Sequence, residues 1–188
     1  MPDGSHRGPV VLPELRLFER PVFRDTRGTF TELWREDAVR EDAGLPRFVQ
    51  DNAAHSRRGV IRGLHFQNPR PQGKLVSVMR GSVIDVAVDV RVGSPTFGRY
   101  VAVELSDENF RQLWVPRGFA HGFEVLSDTA DFFYKCDAPY SPANEITIRW
   151  NDPDLGIKWQ NSAPSLSARD ASAPLLKDIE GLPRYERL

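Results

Sequence analysis

The chain has 188 residues with a formal net charge of −1, 40% hydrophobic and 27% charged, which excludes a disordered chain and a basic nucleic-acid binder. No apolar run approaches the roughly 18 residues of a membrane span, and the polar start "MPDGSHRGP" has no signal-peptide core. The lone Cys136 allows neither an intrachain disulfide nor a CxxC zinc pair, so a reducing, cytoplasmic setting is expected.

In chain order, "GTFTELW" (Gly28 to Trp34) alternates as a half-buried strand does, and "EDAVREDAG" has a helical cast that stops on Gly44. From Phe48 onward the strands follow one another: "FVQDNAAHS", "GVIRGLHFQ", "KLVSVMR", "SVIDVAVDV", "RYVAVELS", "RQLWVP", "HGFEVLS", "ADFFYKC" and "EITIRW". Short turns rich in Gly, Pro, Asn, Asp and Ser separate them, such as Arg80-Gly81. Strands this close, with no helix between them, predict antiparallel pairing in a sandwich or barrel. After Trp159 the strand pattern stops, and a turn of helix is expected within Ala168 to Lys177. The expectation is one all-β domain over residues 1–188, with a barrel core over about 21–160 and a tail over 161–188.

Two stretches do not read as ordinary strands. "GVIRGLHFQNPRPQGKLVSV" carries Arg62, His65, Gln67, Gln72 and Lys74, threaded between Val60, Ile61, Leu64 and Phe66. A single strand histidine is by default a satisfied structural residue. Arg62 three residues earlier and Lys74 nine later reverse that default, because a cluster of cations in an apolar strand pair calls for an anion. In "SVIDVAVDV", Ile84, Val86, Val88 and Val90 form one face, which is expected to pack a core. Val83, Asp85, Ala87 and Asp89 form the other, which is expected to meet water or a polar cavity. The consecutive Phe132, Phe133 and Tyr134 belong to a strand buried on both faces, as in a packed barrel whose polar inner face lines a pocket.

Six blocks in order carry a resemblance: "RDTRGTFTELW", "FVQDNAAHSRRGVIRGLHFQ", "QGKLVSVMRGSVIDVAVDVRVGSPTFG", "PRGFAHGF", "YKCDAPYSPANEITIRWND" and "LSARD". Together they resemble the dTDP-4-dehydrorhamnose 3,5-epimerase family, a branch of the cupin β-barrels, from about Pro21 to about Leu176. The resemblance implies a jelly-roll barrel with short peripheral and C-terminal helices, usually a homodimer. It would act on a dTDP-linked 4-keto-6-deoxysugar, with no metal and no redox cofactor, and with neither nucleic acid nor membrane as partner.

The chemistry of such a substrate is explicit. A ketone at C4 acidifies the protons on C3 and C5. Inverting either carbon needs a base, a donor or cation for the enolate oxygen, and an acid on the opposite face. His65 suits the base, since an ordinary imidazole pKa of about 6.5 leaves it neutral at pH 7. By resemblance, Asp170 orients it, Lys74 faces the C4 oxygen, and Tyr134 donates the proton on the other face. Tyr134 on its own reads as a core residue, and Tyr140, between prolines, as a surface turn. The resemblance assigns Tyr140 to stacking on the thymine. Arg27 and Arg62 are candidates for the diphosphate, with His121 nearby. Gln50, Asn52, Glu32 and Glu145 match positions that contact nucleotide or sugar. Arg169 does so with a forked guanidinium where the family commonly has Lys. Arg57 and Arg58 read as solvated loop charges.

Three competing readings are carried forward. Many cupins bind a divalent metal through an HxH, a glutamate and a PxGxxH turn. Here Pro116, Gly118 and His121 keep the turn, but Gln67 replaces the second His of His65-Phe66-Gln67, a poor transition-metal set. A non-catalytic sugar-nucleotide barrel would use His65 only as an anion contact and would not need Asp170 behind it. A one-carbon epimerase, acting at C3 or at C5 alone, needs the same base, acid and enolate donor.

Overall fold

The computed structural model describes residues 12–37 and 44–186. The helical stretch expected up to Gly44 falls, over residues 38–43, outside the described residues. Among the described residues there are twelve strands: β1 (Arg16–Phe18), β2 (Val22–Asp25), β3 (Gly28–Thr31), β4 (Gln50–Arg57), β5 (Ile61–Gln67) and β6 (Lys74–Arg80), then β7 (Ser82–Asp89), β8 (Tyr100–Ser106), β9 (Gln112–Val115), β10 (Phe119–Val125), β11 (Thr129–Cys136) and β12 (Glu145–Thr147). Nine of the predicted strands thus appear from β4 onward, within a residue or two at their ends except β12, which stops three residues before Trp150.

Two five-stranded sheets, ordered β1-β9-β6-β11-β4 and β12-β5-β10-β7-β8, form an antiparallel jelly-roll barrel, and β2 with β3 makes a separate hairpin. Sequence neighbours lie on opposite sheets at several points. β6 and β7, for example, are joined by Arg80-Gly81 yet belong to different sheets. Gly81 is needed at that corner: it has φ +77°, and a Cβ would lie 2.2 Å from the Thr129 carbonyl oxygen.

Alternation sorts the side chains. Val76 and Val78 of β6, Val83 and Ala87 of β7, Leu113 of β9, and Phe119 and Phe123 of β10 fill the barrel interior with Phe132 of β11. Phe132 and Phe123 stack with centroids 4.1 Å apart. Burying a side chain of that size contributes about 1.5–3 kcal/mol, and the aromatic pair adds about 0.5–1.5 kcal/mol. Phe123 and Phe132 also line the cavity described below.

The apolar face of β7 packs a core as expected, and the other face turns inward, with Val83 and Ala87 in the barrel core and Asp85 and Asp89 buried. Val86, Val88 and Val90 lie outside the barrel, in a second cluster with Tyr100, Ile148, Leu155 and Leu176, against which Ile84 also packs. The tail forms this cover. It is stitched down by Leu176 N–H to Asp152 Oδ2 (2.7 Å) and by Gln160 and Asn161 N–H to the buried carboxylate of Glu124 (2.7 and 2.8 Å). The predicted turn of helix is present at Ala168–Ala171, followed by a 3₁₀ turn at Leu176–Asp178.

Candidate active site

Residues three apart on a regular strand face opposite sides, yet Arg62 and His65 of β5 both line one cavity of about 440 Å³ in the barrel mouth. The pairing with β10 explains it. His121 pairs with His65 and Phe123 with Arg62, so three steps on β5 oppose two on β10 and β5 carries one extra residue, a β-bulge. The bulge sits where two glycines meet. A Cβ on Gly63 would lie 2.7 Å from both Gly122 Cα and the His121 carbonyl oxygen, and one on Gly122 would lie 2.7 Å from the Arg62 carbonyl oxygen. Only residues without a side chain let the two backbones approach this closely.

His65 is backed from far along the chain. Its Nε2 donates to Asp170 Oδ1 at 2.7 Å, which leaves Nδ1 as the ring nitrogen with a lone pair. Asp170 is 3% exposed. Burial by itself would raise its carboxyl. The His65 hydrogen bond and charge outweigh that, with Ser167 and the Gly63 backbone, and hold it below the ordinary carboxylate value. Ser167 caps the short helix, its Oγ accepting from Asp170 N–H at 3.1 Å.

The other sheet supplies the remaining groups. Lys74 opens β6 and Tyr134 lies near the end of β11, with the Lys74 ammonium 5.9 Å from the Tyr134 ring centroid. Among the described residues the Lys74 ammonium has no hydrogen-bond or ion-pair partner. Burial lowers its pKa from the ordinary lysine value, opposed by the charges of Cys136, Glu145 and Asp85. Burial also pushes the Cys136 thiol up to about 11, so at neutral pH it is uncharged and only the two carboxylates pull on Lys74. Burial raises the Tyr134 phenol too, with Cys136 and Glu145 adding to the shift and Arg62 opposing it, so Tyr134 keeps its proton at neutral pH.

The mouth is polar and internally connected. Gln50 Nε2 donates to Asn52 Oδ1 (3.1 Å), and Gln50 Oε1 accepts from Tyr140 N–H (2.8 Å). The Tyr140 hydroxyl donates to Glu145 Oε2 at 2.8 Å, and Arg169 donates to the same oxygen. Tyr140 remains 47% exposed, with its ring at the rim. Gln67 and Gln72, also lining the cavity, are used to hold loops: they donate to the carbonyls of Arg70 and Ala138.

Beside His65 lies His121, whose Nε2 donates to Asp85 Oδ2 at 2.8 Å. Asp85 is fully buried and its Oδ1 has no partner among the described residues. The sequence reading placed Asp85 on the polar face of β7 but assigned it no partner. The signal was there: a carboxylate on the inner face of a barrel strand needs a partner inside the barrel. Both imidazoles therefore spend Nε2 on a carboxylate. Among the described residues no group of three or more His, Cys, Asp or Glu is arranged to hold a metal ion.

All the sequence-predicted site residues converge on this cavity except Arg27 and Glu32. Those two lie on or beside the β2–β3 hairpin, away from it. Arg27 is paired with Asp25 in solvent, and Glu32 with Arg35. Arg58, read as a solvated loop charge, is 64% exposed and pairs with Asp128.

A sequence model of dTDP-4-dehydrorhamnose 3,5-epimerase matches residues 9–178. The dTDP-4-dehydrorhamnose 3,5-epimerase of Pseudomonas aeruginosa is 49% identical over 176 residues, 93% of this chain and 97% of the relative, and that of Salmonella typhimurium is 52% identical over 170 residues, 89% and 93%. The crystal structure of the dTDP-6-deoxy-D-glucose-3,5-epimerase of Legionella pneumophila, in complex with dTDP-4-keto-L-rhamnose, has a TM-score of 0.92 at 50% identity, covering 95% of this chain and 97% of that one. A 3′-monoepimerase from Streptomyces bikiniensis in complex with dTDP-quinovose has a TM-score of 0.87 at 38% identity, covering 94% and 92%. The barrel, its cavity and these likenesses agree: the chain belongs to the dTDP-4-dehydrorhamnose 3,5-epimerase family of carbohydrate epimerases.

Proposed function

We propose that the chain inverts C3 and C5 of dTDP-4-dehydro-6-deoxyglucose, by proton abstraction alpha to the C4 ketone. The observation that carries the reading is the 2.7 Å hydrogen bond from His65 Nε2 to a buried carboxylate, within a cavity that also holds Lys74 and Tyr134. His65 Nδ1 removes the proton from the carbon, and the electron pair moves into an enolate whose oxygen meets the Lys74 ammonium. Tyr134 then returns a proton on the opposite face, and solvent restores both groups. One general acid–base group contributes about 10²–10⁴ in rate and one enolate-oxygen donor about 10²–10³, so the groups must act together. Gln50, Asn52 and Tyr140 hold the nucleotide base at the rim, and Arg62 and His121 the diphosphate.

The decisive experiment is turnover of that substrate in D₂O, followed by NMR. Deuterium at both C3 and C5 is the expected result. Deuterium at C3 or C5 alone reduces the reading to a one-carbon epimerase, and none at either carbon refutes it.

We also infer a cytoplasmic homodimer, with each chain acting as a single barrel domain. The hairpin belongs to neither barrel sheet and exposes Phe23 at 63% and Phe30 at 70%, an apolar surface suited to a second copy. Docked there, the hairpin carries Arg27 and Glu32 toward the partner's cavity, which accounts for their absence from their own. Light scattering on Phe23→Asp with Phe30→Asp should show monomers where the natural chain is dimeric.

A further inference from the structure

Arg169 and Asp170 are adjacent on a four-residue helix, and each reaches a different strand of the same pair. Asp170 reaches His65 on β5. Arg169 reaches Glu145 on β12, through Nη1 to Oε2 and through Nη2 to the backbone carbonyl at 3.0 Å. Glu145 is paired with Gln67, and Thr147 with His65, so both anchors lie on one antiparallel ladder.

The helix has little else to hold it. On its N-terminal side the tail is fixed at Ser165, which bonds to Gly59 and Ile61; on its C-terminal side it is fixed at Ala173 and Pro174, which bond to Arg149. Across the span between, Ser167, Ala168, Ala171 and Ser172 are exposed, and their hydrogen bonds stay within the turn. Among the described residues, the hydrogen bonds from this span to the barrel come from Arg169 and Asp170 alone. Asp170 alone attaches the turn to one strand, through His65 and the Gly63 backbone of β5, and would let it rock about that strand. A second, forked attachment one residue away removes that freedom, and a guanidinium supplies it better than a point charge because it meets the carboxylate and the carbonyl at once.

Resting on the epimerase reading above, we propose that Arg169 is a positioning residue: its clasp on Glu145 fixes the turn that holds Asp170 behind His65. The clasp also joins the rim to the base, since Glu145 Oε2 is shared with the Tyr140 hydroxyl, whose own backbone is held by Gln50. A ligand that engages Tyr140 would therefore be felt at Asp170, so binding at the nucleotide end helps to align the reacting end.

The test uses the full chain carrying Arg169→Ala or Arg169→Lys; the Arg169 side chain is 47% exposed and outside the barrel core, so both variants should fold. In ligand-free, histidine-labelled protein, the His65 ring N–H resonance is assigned through its loss in Asp170→Asn. Positioning predicts that Arg169→Ala broadens or shifts this resonance and speeds its exchange with solvent, and that Arg169→Lys restores it in part. It further predicts that kcat falls on the order of ten- to a hundredfold in Arg169→Ala while dTDP affinity, by calorimetry, changes by less than about threefold. An unchanged resonance overturns the proposal, whether kcat falls or holds. Weakened dTDP binding with kcat intact overturns it as well and leaves Arg169 as a nucleotide contact. Because the resonance is read without substrate, an inactive natural enzyme would sink the epimerase reading without deciding this one.

Discussion

Arg62 and His65 stand three residues apart on β5 and look into the same cavity, because the strand carries one extra residue between them opposite β10. Slipping back to even alternation would turn one of them out of the barrel. The cation and the base are thus one backbone device, and Gly63 is its pivot.

Gly63→Ala should therefore be severe. It places a methyl 2.7 Å from backbone atoms of His121 and Gly122, at φ +122°. Strain and overpacking each cost about 1–3 kcal/mol. Urea unfolding should show a lower midpoint, and the folded fraction should lose isotope exchange at the sugar carbons.

His65→Asn should abolish deuterium incorporation at C3 and C5 while dTDP binding stays near that of the natural enzyme. Asp170→Asn should lower activity through the lost tautomer lock, and it should also change acid stability. The folded pKa of Asp170 lies below its ordinary value of 3.8. Its stabilisation is therefore complete above that value and is lost as pH falls through the folded pKa. Melting curves between about pH 5 and pH 2 should decline less steeply in Asp170→Asn than in the natural enzyme. Retained exchange in His65→Asn would remove it as the base.

Lys74→Met should trade activity for stability. Burial lowers the folded pKa of Lys74 below its ordinary 10.5, so holding the charge costs folding free energy at every pH below that folded value. The cost is relieved as pH rises from the folded pKa towards 10.5. The variant should melt at a higher temperature than the natural enzyme at pH 7, with a smaller gap above about pH 10, and turn over about 10²–10³ more slowly. A variant that keeps its rate would free Lys74 from any contact with the enolate oxygen.

Tyr134→Phe removes one hydroxyl and little volume, so the barrel should survive. His65 and Lys74 still form and hold the enolate. Deuterium should then wash in on the original face while inversion becomes slow, a split visible in one NMR time course. Inversion at the natural rate would reduce Tyr134 to packing, and joint loss of exchange and inversion would make it the base.

Local pattern carried much of this structure and stopped at identifiable points. The strands from β4 to β12 were legible because a period of two survives in side chains such as Val76 and Val78. Phe132 and Tyr134 line the cavity, whereas the run of three aromatics marked only a strand apolar on both faces. The cover over Val86 and Val88 was not legible, since nothing in β7 records that a tail sixty or more residues later will lie on it. The gathering of Arg62 and His65 at one interior was legible, but the bulge that puts them on one face was not, because a bulge depends on the partner strand. Asp85 was seen on its face but not paired, for its histidine is 36 residues away. The likeness to a family brought Asp170 to His65, which spacing by itself could not.

Those two residues are 105 apart in sequence. On a ribosome adding roughly 5–20 residues per second, the carboxylate follows the imidazole by roughly 5–20 seconds. The barrel strands are all made before it, so a nascent chain can close its walls while its histidine still lacks an orienting partner. A fragment ending just short of Asp170 would carry every described strand but neither the carboxylate that orients His65 nor the Leu176 that helps to cover Val86 and Val88.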